Sequence, residues 1–331
     1  MATSINSILR RPATAVAISV LGLLPLLLVA GCQEDDCVAC VAPPPVAPTN
    51  VHSASGDGFI TVYWDDDPEI YSDDITGYRV WSRYFQPGDE LDPAREFYLI
   101  GEVARGQNQD AATGRYHFID ADVENAVDYE YAVSTVARSG ESYLSFELII
   151  DTPLPMSETP LTLFDVDGPS SHLSGLDLSL AAEHGAYEGN GAAGVVDGAS
   201  AGTSADVVLR YDADGVPWLA TTRASVRLQD YGTFLDMDGE LYFEGVSWAP
   251  EFGWSASGLA ELIPGHIYVV EIVDEQAIGD VHYAKVGAVS VDGTQRSARI
   301  MWAYQLVNGL PELAAPDHRR DGAGRDEAIS L

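Results

Sequence analysis

Short stretches of alternating apolar and polar residues, separated by glycine, proline and aspartate, run along most of the chain. Alternation with a period of two is typical of half-buried strands, and few windows keep the i, i+3, i+4 spacing of a helix. The predicted strands of the first half are 59–64, 78–81, 97–103, 116–119, 129–136 and 143–150. Those of the second half are 205–211, 224–229, 240–243, 267–273, 282–291 and 299–305. We therefore expect an all-β chain with a β-sandwich at 49–154 and a second, mostly antiparallel β domain at 160–313.

The N-terminal pattern is different. Arg10 and Arg11 precede a mostly apolar run over 13–30, and small residues lead into Cys32. This order is that of a signal peptide with its cleavage site. A cysteine directly after the cut makes the segment resemble a bacterial lipoprotein signal, which implies removal of residues 1–31 and a lipid bilayer anchor, such as palmitate, on Cys32. Gln33 is not the aspartate that favours inner-membrane retention in such proteins, so the resemblance favours the outer membrane.

A transmembrane helix and a simple secretory signal are the alternatives for this segment. The apolar run is at the lower limit of what spans a bilayer, and Pro25 interrupts it. Residues 32–48 are acidic and then proline-rich, which is typical of a semi-rigid tether. Cys37 and Cys40 lie in this tether, where we expect an incidental or disulfide-closed pair. The tail at 314–331 has the mixed polar composition of a disordered segment.

Several positions of the first β region go beyond a generic sandwich. A strand ends in Trp64, Gly77-Tyr78-x-Val80 follows, and Val123 stands six residues before Tyr129-x-Tyr131-x-Val133. Together they resemble a fibronectin type III domain. The resemblance implies that Trp64 packs between the sheets and that the Tyr129 hydroxyl bonds to upstream backbone as a tyrosine corner. This family consists mainly of spacers and interaction modules, and the fold alone does not assign a function.

The formal net charge is −34, with 17 lysine and arginine residues against 51 acidic residues. Recognition of a nucleic acid duplex needs a basic face, so nucleic acid is excluded as a partner. Three Asp-x-Asp-Gly units, starting at Asp165, Asp212 and Asp236, raise calcium as a possible cofactor, because calcium loops combine carboxylates with a tight turn. We name Asp212, Asp214, Asp236 and Asp238 as candidate metal ligands. Asp-Gly is also a common hairpin turn, and we favour turns over a calcium site for these units.

Three aromatic residues, Trp248, Phe252 and Trp254, lie within seven positions and are separated by proline and glycine. Exposed aromatic side chains of a loop can stack on sugars or anchor a protein interface. We therefore name them as candidate ligand-binding residues for a protein or glycan ligand. The alternative is that they fold back and close the end of the second domain.

Familiar enzyme signatures, such as G-x-S-x-G, H-E-x-x-H and the phosphate-binding G-x-x-x-x-G-K, do not occur. The one lysine, Lys285, falls in a predicted strand, and we expect it to point outward into solvent. No catalytic residue is named. We expect a membrane-anchored extracytoplasmic protein that binds a ligand or interacts with the cell envelope. A glycan-processing enzyme or its carbohydrate-binding subunit, and a purely structural envelope protein, are the alternatives.

Replacing Cys32 with serine tests the anchor. Because the thiol is the acylation site in such signals, we expect Cys32→Ser to move the protein from the membrane fraction to the soluble fraction and to abolish labelling with a palmitate analogue. Cys37→Ser is the matched control and keeps both. Tight membrane association of the Cys32→Ser protein would contradict a lipid anchor.

Overall fold

The computed structural model of the chain describes residues 44–66, 74–85, 96–147, 149–184, 194–273 and 279–314. The predicted signal peptide, Cys32 with most of its tether, the Cys37–Cys40 pair and residues 315–331 lie outside the described residues. No helix in these described ranges is long and apolar enough to span a bilayer.

Eight strands form the first β-sandwich, and every pairing between them is antiparallel. One sheet has the order β1-β2-β5, and the other has the order β4-β3-β6-β7, with β8 also paired to β6. The chain crosses from one sheet to the other three times, after β2, after β4 and after β5. The strands are β1 Thr49–Ser55, β2 Ile60–Asp65, β3 Ile75–Phe85, β4 Tyr98–Ala104, β5 Tyr116–Asp120, β6 Asp128–Ala137, β7 Gly140–Glu141 and β8 Ile149–Asp151.

The core between these sheets is strongly aromatic. Trp64 is fully buried, and its ring stacks on that of Tyr116 at 5.9 Å and meets that of Tyr78 edge-on at 5.5 Å. Val123 is buried as well. The backbone N–H of Glu124 donates to the Tyr129 hydroxyl oxygen at 2.9 Å. The buried tryptophan and the tyrosine corner predicted from the sequence are therefore both present.

The last predicted strand of this sandwich, 143–150, is broken. Only Ile149–Asp151 at its end forms a strand, and the short β7 precedes it. Between them, the hydroxyls of Ser142 and Ser145 accept the backbone N–H groups of Thr135 and Val133 at 2.8 and 3.1 Å. These side chains continue the edge of β6 where regular strand geometry is interrupted.

Two five-stranded antiparallel sheets form the second sandwich, in the orders β14-β16-β17-β18-β9 and β11-β10-β12-β13-β15. Asp177 and Asp206 accept N–H groups at the start of a short helix, which closes one edge of the core. The strands and the helix are β9 Leu161–Phe164, β10 Gly175–Leu176, α1 Leu178–His184, β11 Val195–Val196, β12 Val207–Tyr211, β13 Pro217–Thr221, β14 Val226–Thr233, β15 Leu259–Glu261, β16 His266–Val273, β17 Val281–Asp292 and β18 Ser297–Tyr304.

The sheet that contains β16 is covered on both faces. Its inner face packs against the other sheet of the sandwich. Its outer face carries a second group of buried side chains, which we call the junction cluster: Leu154, Phe243, Val246, Ile267, Val269, Ala303 and Leu313. Because Leu154 comes from the segment that joins the two sandwiches, this cluster lies where the chain passes from one to the other. Residues 43–331 accordingly form one compact unit.

The predicted strand 240–243 is wrong. Leu241 makes a single bridge to Leu235, and Phe243–Gly245 is a 3₁₀ turn. This segment lies on top of the β16 sheet instead of pairing within it, so its apolar side chains are buried by a face rather than by an edge. The pattern also did not predict strands β1, β7, β9, β10, β11, β13 and β15 or helix α1.

The tyrosine corner can be tested by removing one oxygen atom. We expect Tyr129→Phe to lower the free energy of unfolding by about 1 kcal/mol, because the Glu124 N–H loses its acceptor in a partly buried site. Urea denaturation of the purified protein measures this change. Tyr143→Phe is the control, since Tyr143 is largely exposed. Equal stability of the two variants would contradict the role given to Tyr129.

Candidate functional site

A cleft of about 820 Å³ opens between the two sandwiches. One side is the outer face of the β1-β2-β5 sheet with the loop before β5, and the other is the segment between β14 and β15. We call this space the cleft. Its side chains with polar or aromatic chemistry are His52, Ser53, Thr61, Tyr63, Asp110, Thr113, Arg115 and His117 on the first side and Asp236, Tyr242 and Glu244 on the second.

A row of three rings crosses the first side. His52, Tyr63 and His117 occupy directly opposed positions of β1, β2 and β5. The His52 and Tyr63 rings stack at 5.2 Å, and the Tyr63 and His117 rings lie 6.3 Å apart. Alternation along each strand explains the row, because the neighbouring residues point into the sandwich core and these three point out of it.

Arg115 and Asp65 border this row. The guanidinium Nε of Arg115 donates to the Asp65 carboxylate at 3.2 Å, and its Nη1 lies 3.3 Å from Nε2 of His52. Asn50 donates to the other Asp65 oxygen at 2.7 Å. The positive charge of Arg115 is thus balanced locally, and these contacts fix the orientation of its guanidinium group.

The second side is held by the packing of residues 241–246, which we call the wall turn. A Cβ at Gly287 in β17 would meet side-chain carbons of Leu241 and Phe243 at 2.6 and 2.8 Å. Only glycine at this position lets the wall turn lie so close to the sheet. A larger residue is also excluded at Gly245, because a Cβ there would lie 2.5 Å from the Phe234 ring.

Lys285 corrects an expectation from the sequence. Its side chain was expected in solvent, yet it is 0% exposed. It lies between Val269 and Ala303 on the covered face of the sheet. Its Nζ donates to the carbonyl oxygens of Phe243 at 2.9 Å and Val246 at 3.1 Å, so it joins the sheet to the wall turn.

The negative charge of Glu244 affects titratable groups in both sandwiches. It stands between the two carbonyls that Lys285 holds, and its carboxylate faces the cleft. Burial, and then this negative charge, raise the pKa of Tyr63 on the opposite side. The same carboxylate also opposes the burial effect on Lys285 and adds to the raised pKa of Asp151. Its position makes the second side of the cleft electronegative.

The candidate metal ligands form turns. Asp212 Oδ1 accepts the N–H groups of Asp214 and Val216, both at 2.9 Å, and backbone bonds of this kind lower the pKa of Asp212. Asp236 Oδ1 does the same for Asp238 and Glu240. Asp236 lies in the cleft, whereas the Asp212 turn does not line it.

The third Asp-x-Asp-Gly unit, which begins at Asp165, also has a structural role. The buried Asp165 carboxylate accepts hydrogen bonds from Arg296 Nε at 2.6 Å and from the Tyr211 N–H. Within the described residues, no three histidine, cysteine or acidic side chains form a group that could hold a metal ion. Calcium binding at the Asp212 and Asp236 turns stays a prediction.

The three candidate aromatic residues do not share one environment. Phe252 is 78% exposed and Trp248 is 39% exposed. Trp254 instead packs against the junction cluster, with the Arg227 guanidinium 5.0 Å from its ring centre. Backbone bonds fix the start of this loop, since Ala249 donates to Pro311 and Leu313 donates to Ser247, both at 2.7 Å. Ligand binding by this loop stays a prediction.

No protein-family model matches the chain, and no curated protein does so either. Solved structures that resemble it include a myokine structure, with 20% identity, coverage of 33% of this chain and 98% of that chain, and a TM-score of 0.24. The third fibronectin III domain of human KIAA0343 protein has 22% identity, coverage of 33% and 83%, and a TM-score of 0.25. The FN1-FN3 domains of chicken CNTN1 have 13% identity, coverage of 83% and 66%, and a TM-score of 0.30.

The assignment therefore depends on the geometry of the chain itself. Residues 49–154 form a fibronectin type III-like sandwich. Its two antiparallel sheets, its buried Trp64 and the Tyr129 corner support this statement independently of one another. Such a fold is consistent with an interaction or structural protein, and the site has to supply anything more specific.

Two buried acids, Asp151 and Glu312, lie where the two sandwiches meet. Asp151 accepts the Ser55 hydroxyl at 2.5 Å, and burial raises its pKa to about 6. Burial, together with the charges of Asp151 and Asp128, raises the pKa of Glu312 to about 9. Glu312 also pairs with Trp248 through the backbone. The raised pKa therefore favours the protonated form of this carboxyl group at neutral pH in the folded protein.

Sequence reasoning missed most of the cleft. A signal was present for the ring row, because His52, Tyr63 and His117 are large side chains at the outward positions of amphipathic strands. Nothing local marked Tyr242, Glu244 or Lys285. Their positions depend on the packing of the wall turn onto strands β16 to β18, which follow it in the chain.

Glu312→Gln tests the buried acid. A carboxyl group whose pKa is raised by folding stabilises the fold fully below its unfolded pKa, and this contribution is lost as the pH rises towards about 9. We expect the wild-type melting temperature to fall relative to that of Glu312→Gln between pH 5 and pH 9. The difference in unfolding free energy should change by at most about 1.4 kcal/mol per pH unit.

Glu158→Gln is the matched control, since Glu158 is exposed, and it should follow the wild type at each pH. A wild-type curve parallel to that of Glu312→Gln over the whole range would contradict the buried, protonated state.

Proposed function

We propose that this protein is a lipid-anchored extracytoplasmic binding protein that holds its ligand in the cleft between its two sandwiches. The observation that carries the proposal is the cleft itself. Its volume of about 820 Å³ is in the range of small-molecule sites, which occur preferentially between domains. The resemblance of residues 28–32 to a lipoprotein signal supports the anchor, and the proline-rich tether would separate the sandwiches from the lipid.

The cleft chemistry favours a polyhydroxylated ligand such as a glycan. Hydroxyl, imidazole and carboxylate groups face one another across it, and each can donate to or accept from sugar hydroxyls. Tyr63 and Tyr242 add aromatic surface, which suits the apolar faces of sugar rings. A formal charge of −34 and three carboxylates in the lining disfavour anionic ligands.

A glycan-processing enzyme is the second candidate. Asp236 and Glu244 stand on one side of the cleft and Asp110 on the other, so carboxylates flank the space in which a glycosidic bond would lie. The two N–H groups of Ala112 and Thr113 lower the pKa of Asp110, which favours its ionised form. Release of reducing sugar from an oligosaccharide, with loss of release in Glu244→Gln, would support this candidate.

Thermal shift with soluble oligosaccharides and with CaCl₂ tests the binding function. We expect at least one oligosaccharide to raise the melting temperature, since a ligand at one hundred times its Kd stabilises by about 2.7 kcal/mol. Tyr63→Ala should remove the shift, because it opens a gap in the middle of the ring row. Phe252→Ala should keep it, because Phe252 does not line the cleft.

Three outcomes would contradict the proposal. No shift with any oligosaccharide would favour a purely structural envelope protein. A shift that Phe252→Ala removes and Tyr63→Ala keeps would move the site to the aromatic loop. A shift with CaCl₂ alone, removed by Asp212→Asn, would replace the cleft by a calcium site at that turn.

A further inference from the structure

Lys285 is unusual in two independent respects. It is the only lysine of the chain, which otherwise uses arginine for its permanent positive charges. It is also fully buried, whereas lysine is almost never fully buried without a paired charge. Arginine cannot lose its proton in proteins, but a lysine changes its charge readily when it is buried. The single lysine, whose charge can change when it is buried, therefore lies at the base of the wall turn.

The contacts of Lys285 join the sheet to the wall turn. Its Nζ donates to the carbonyls of Phe243 and Val246, which flank Glu244, and it lies 4.6 Å from the centre of the Phe243 ring. Both hydrogen bonds end on the wall turn. The aliphatic part of the side chain belongs to β17, between Val269 and Ala303. Lys285 thus connects the sheet to the turn that forms the second side of the cleft.

We propose that Lys285 is a proton-operated clamp: the neutral amine holds the wall turn on the sheet, and uptake of a proton favours an opened turn in which the ammonium group is hydrated. The physical reason is desolvation. Two neutral carbonyls satisfy an uncharged amine, but they replace only part of the hydration that an ammonium ion loses on burial. A proton therefore binds more tightly to the opened state than to the closed one.

The linkage between proton uptake and opening determines how the opening equilibrium of the wall turn changes with pH, and over which pH range. Burial lowers the pKa of Lys285 to about 7 in the closed state, and hydration returns it towards the usual 10.5 in the opened state. Between these values each opening takes up one proton. The equilibrium constant for opening consequently falls about tenfold for each unit of rising pH above 7, and it is constant below 7.

Other titratable groups surround Lys285. Glu244 on the wall turn attracts its charge and works against burial. Glu271 on β16 is paired with Arg227 of β14 and lies near Tyr283, two positions from Lys285 on β17. Beyond the wall turn, Glu312 and Asp151 lie at the junction with raised pKa values. A buried acid of this kind favours opening as the pH rises, so its effect has the opposite sign to that of Lys285.

The consequence for the cleft rests on the proposed function. Tyr242 and Glu244 line the cleft and belong to the wall turn, so a closed turn presents them to a ligand in one geometry. The clamp would make ligand affinity increase with pH above neutrality. The clamp itself is measured without any ligand, so its failure and the failure of the binding function are distinguishable.

The first experiment uses the single lysine. Because the chain has one lysine, labelling with ¹⁵N-lysine gives one side-chain resonance from the intact protein. We expect its titration midpoint near pH 7. A midpoint near the usual value, about 10.4, would overturn the proposal.

The second experiment is hydrogen exchange of the full chain between pH 7 and pH 9. The amides of Tyr242 and Gly245 are suitable probes, since they donate to Phe234 and Tyr242 carbonyls at 3.0 and 3.1 Å. The intrinsic exchange rate rises about tenfold per pH unit in this range, and the opening constant falls by the same factor, so wild-type exchange should stay nearly constant. Lys285→Gln keeps a neutral donor that does not titrate, and its exchange should rise about tenfold per unit.

Two further variants complete the test. Lys285→Met removes the donor and should expose both amides at every pH. Glu312→Gln should keep the pH dependence of exchange seen in the wild type, which excludes Glu312 as the source of that dependence. The amide of Leu262, which donates to Pro217 on the other sheet, reports global unfolding. Equal pH dependence in the wild type and Lys285→Gln, or full exposure in Lys285→Gln as in Lys285→Met, would overturn the proton-operated clamp.

Discussion

The contact between the wall turn and the outer face of the β16-β17-β18 sheet is the constraint on which the cleft depends. Gly287 lets Leu241 and Phe243 approach the sheet, and Lys285 bonds to the turn from below. Leu154 packs into the same cluster from the segment that joins the sandwiches. One region therefore positions Glu244 relative to the ring row and also unites the two halves of the chain.

The strongly acidic composition has a structural use in addition to its effect on solubility. Asp165, Asp212 and Asp236 each accept backbone N–H groups, so their carboxylates stabilise turns and connect neighbouring segments of the chain. Charge-assisted bonds of this kind are stronger than neutral ones, and they satisfy donors that a strand end would leave unpaired. The same carboxylates therefore resemble calcium loops in sequence while acting as turn acceptors in the fold.

The predictions from the sequence succeeded where they depended on local alternation. The strands that contain Trp64 and Tyr129 lie where the pattern placed them, because large apolar residues alternate with smaller or polar ones along both, although β6 is buried along nearly all of its length. The same reasoning failed at Lys285 and at 240–243. β16 and the middle of β17 are buried on both faces, so the polar member of an alternating pair no longer marks a solvent face.

The sequence by itself determined the all-β class and the fibronectin type III-like core of the first half, because period-two patterning and a few large aromatic residues act locally. Only the tertiary structure decided that a cleft separates the sandwiches, that Glu244 faces Tyr63 across it and that the one lysine is buried. These features join residues that are far apart in the chain. Burial by a distant segment changes the environment of a side chain without leaving any mark in its neighbours.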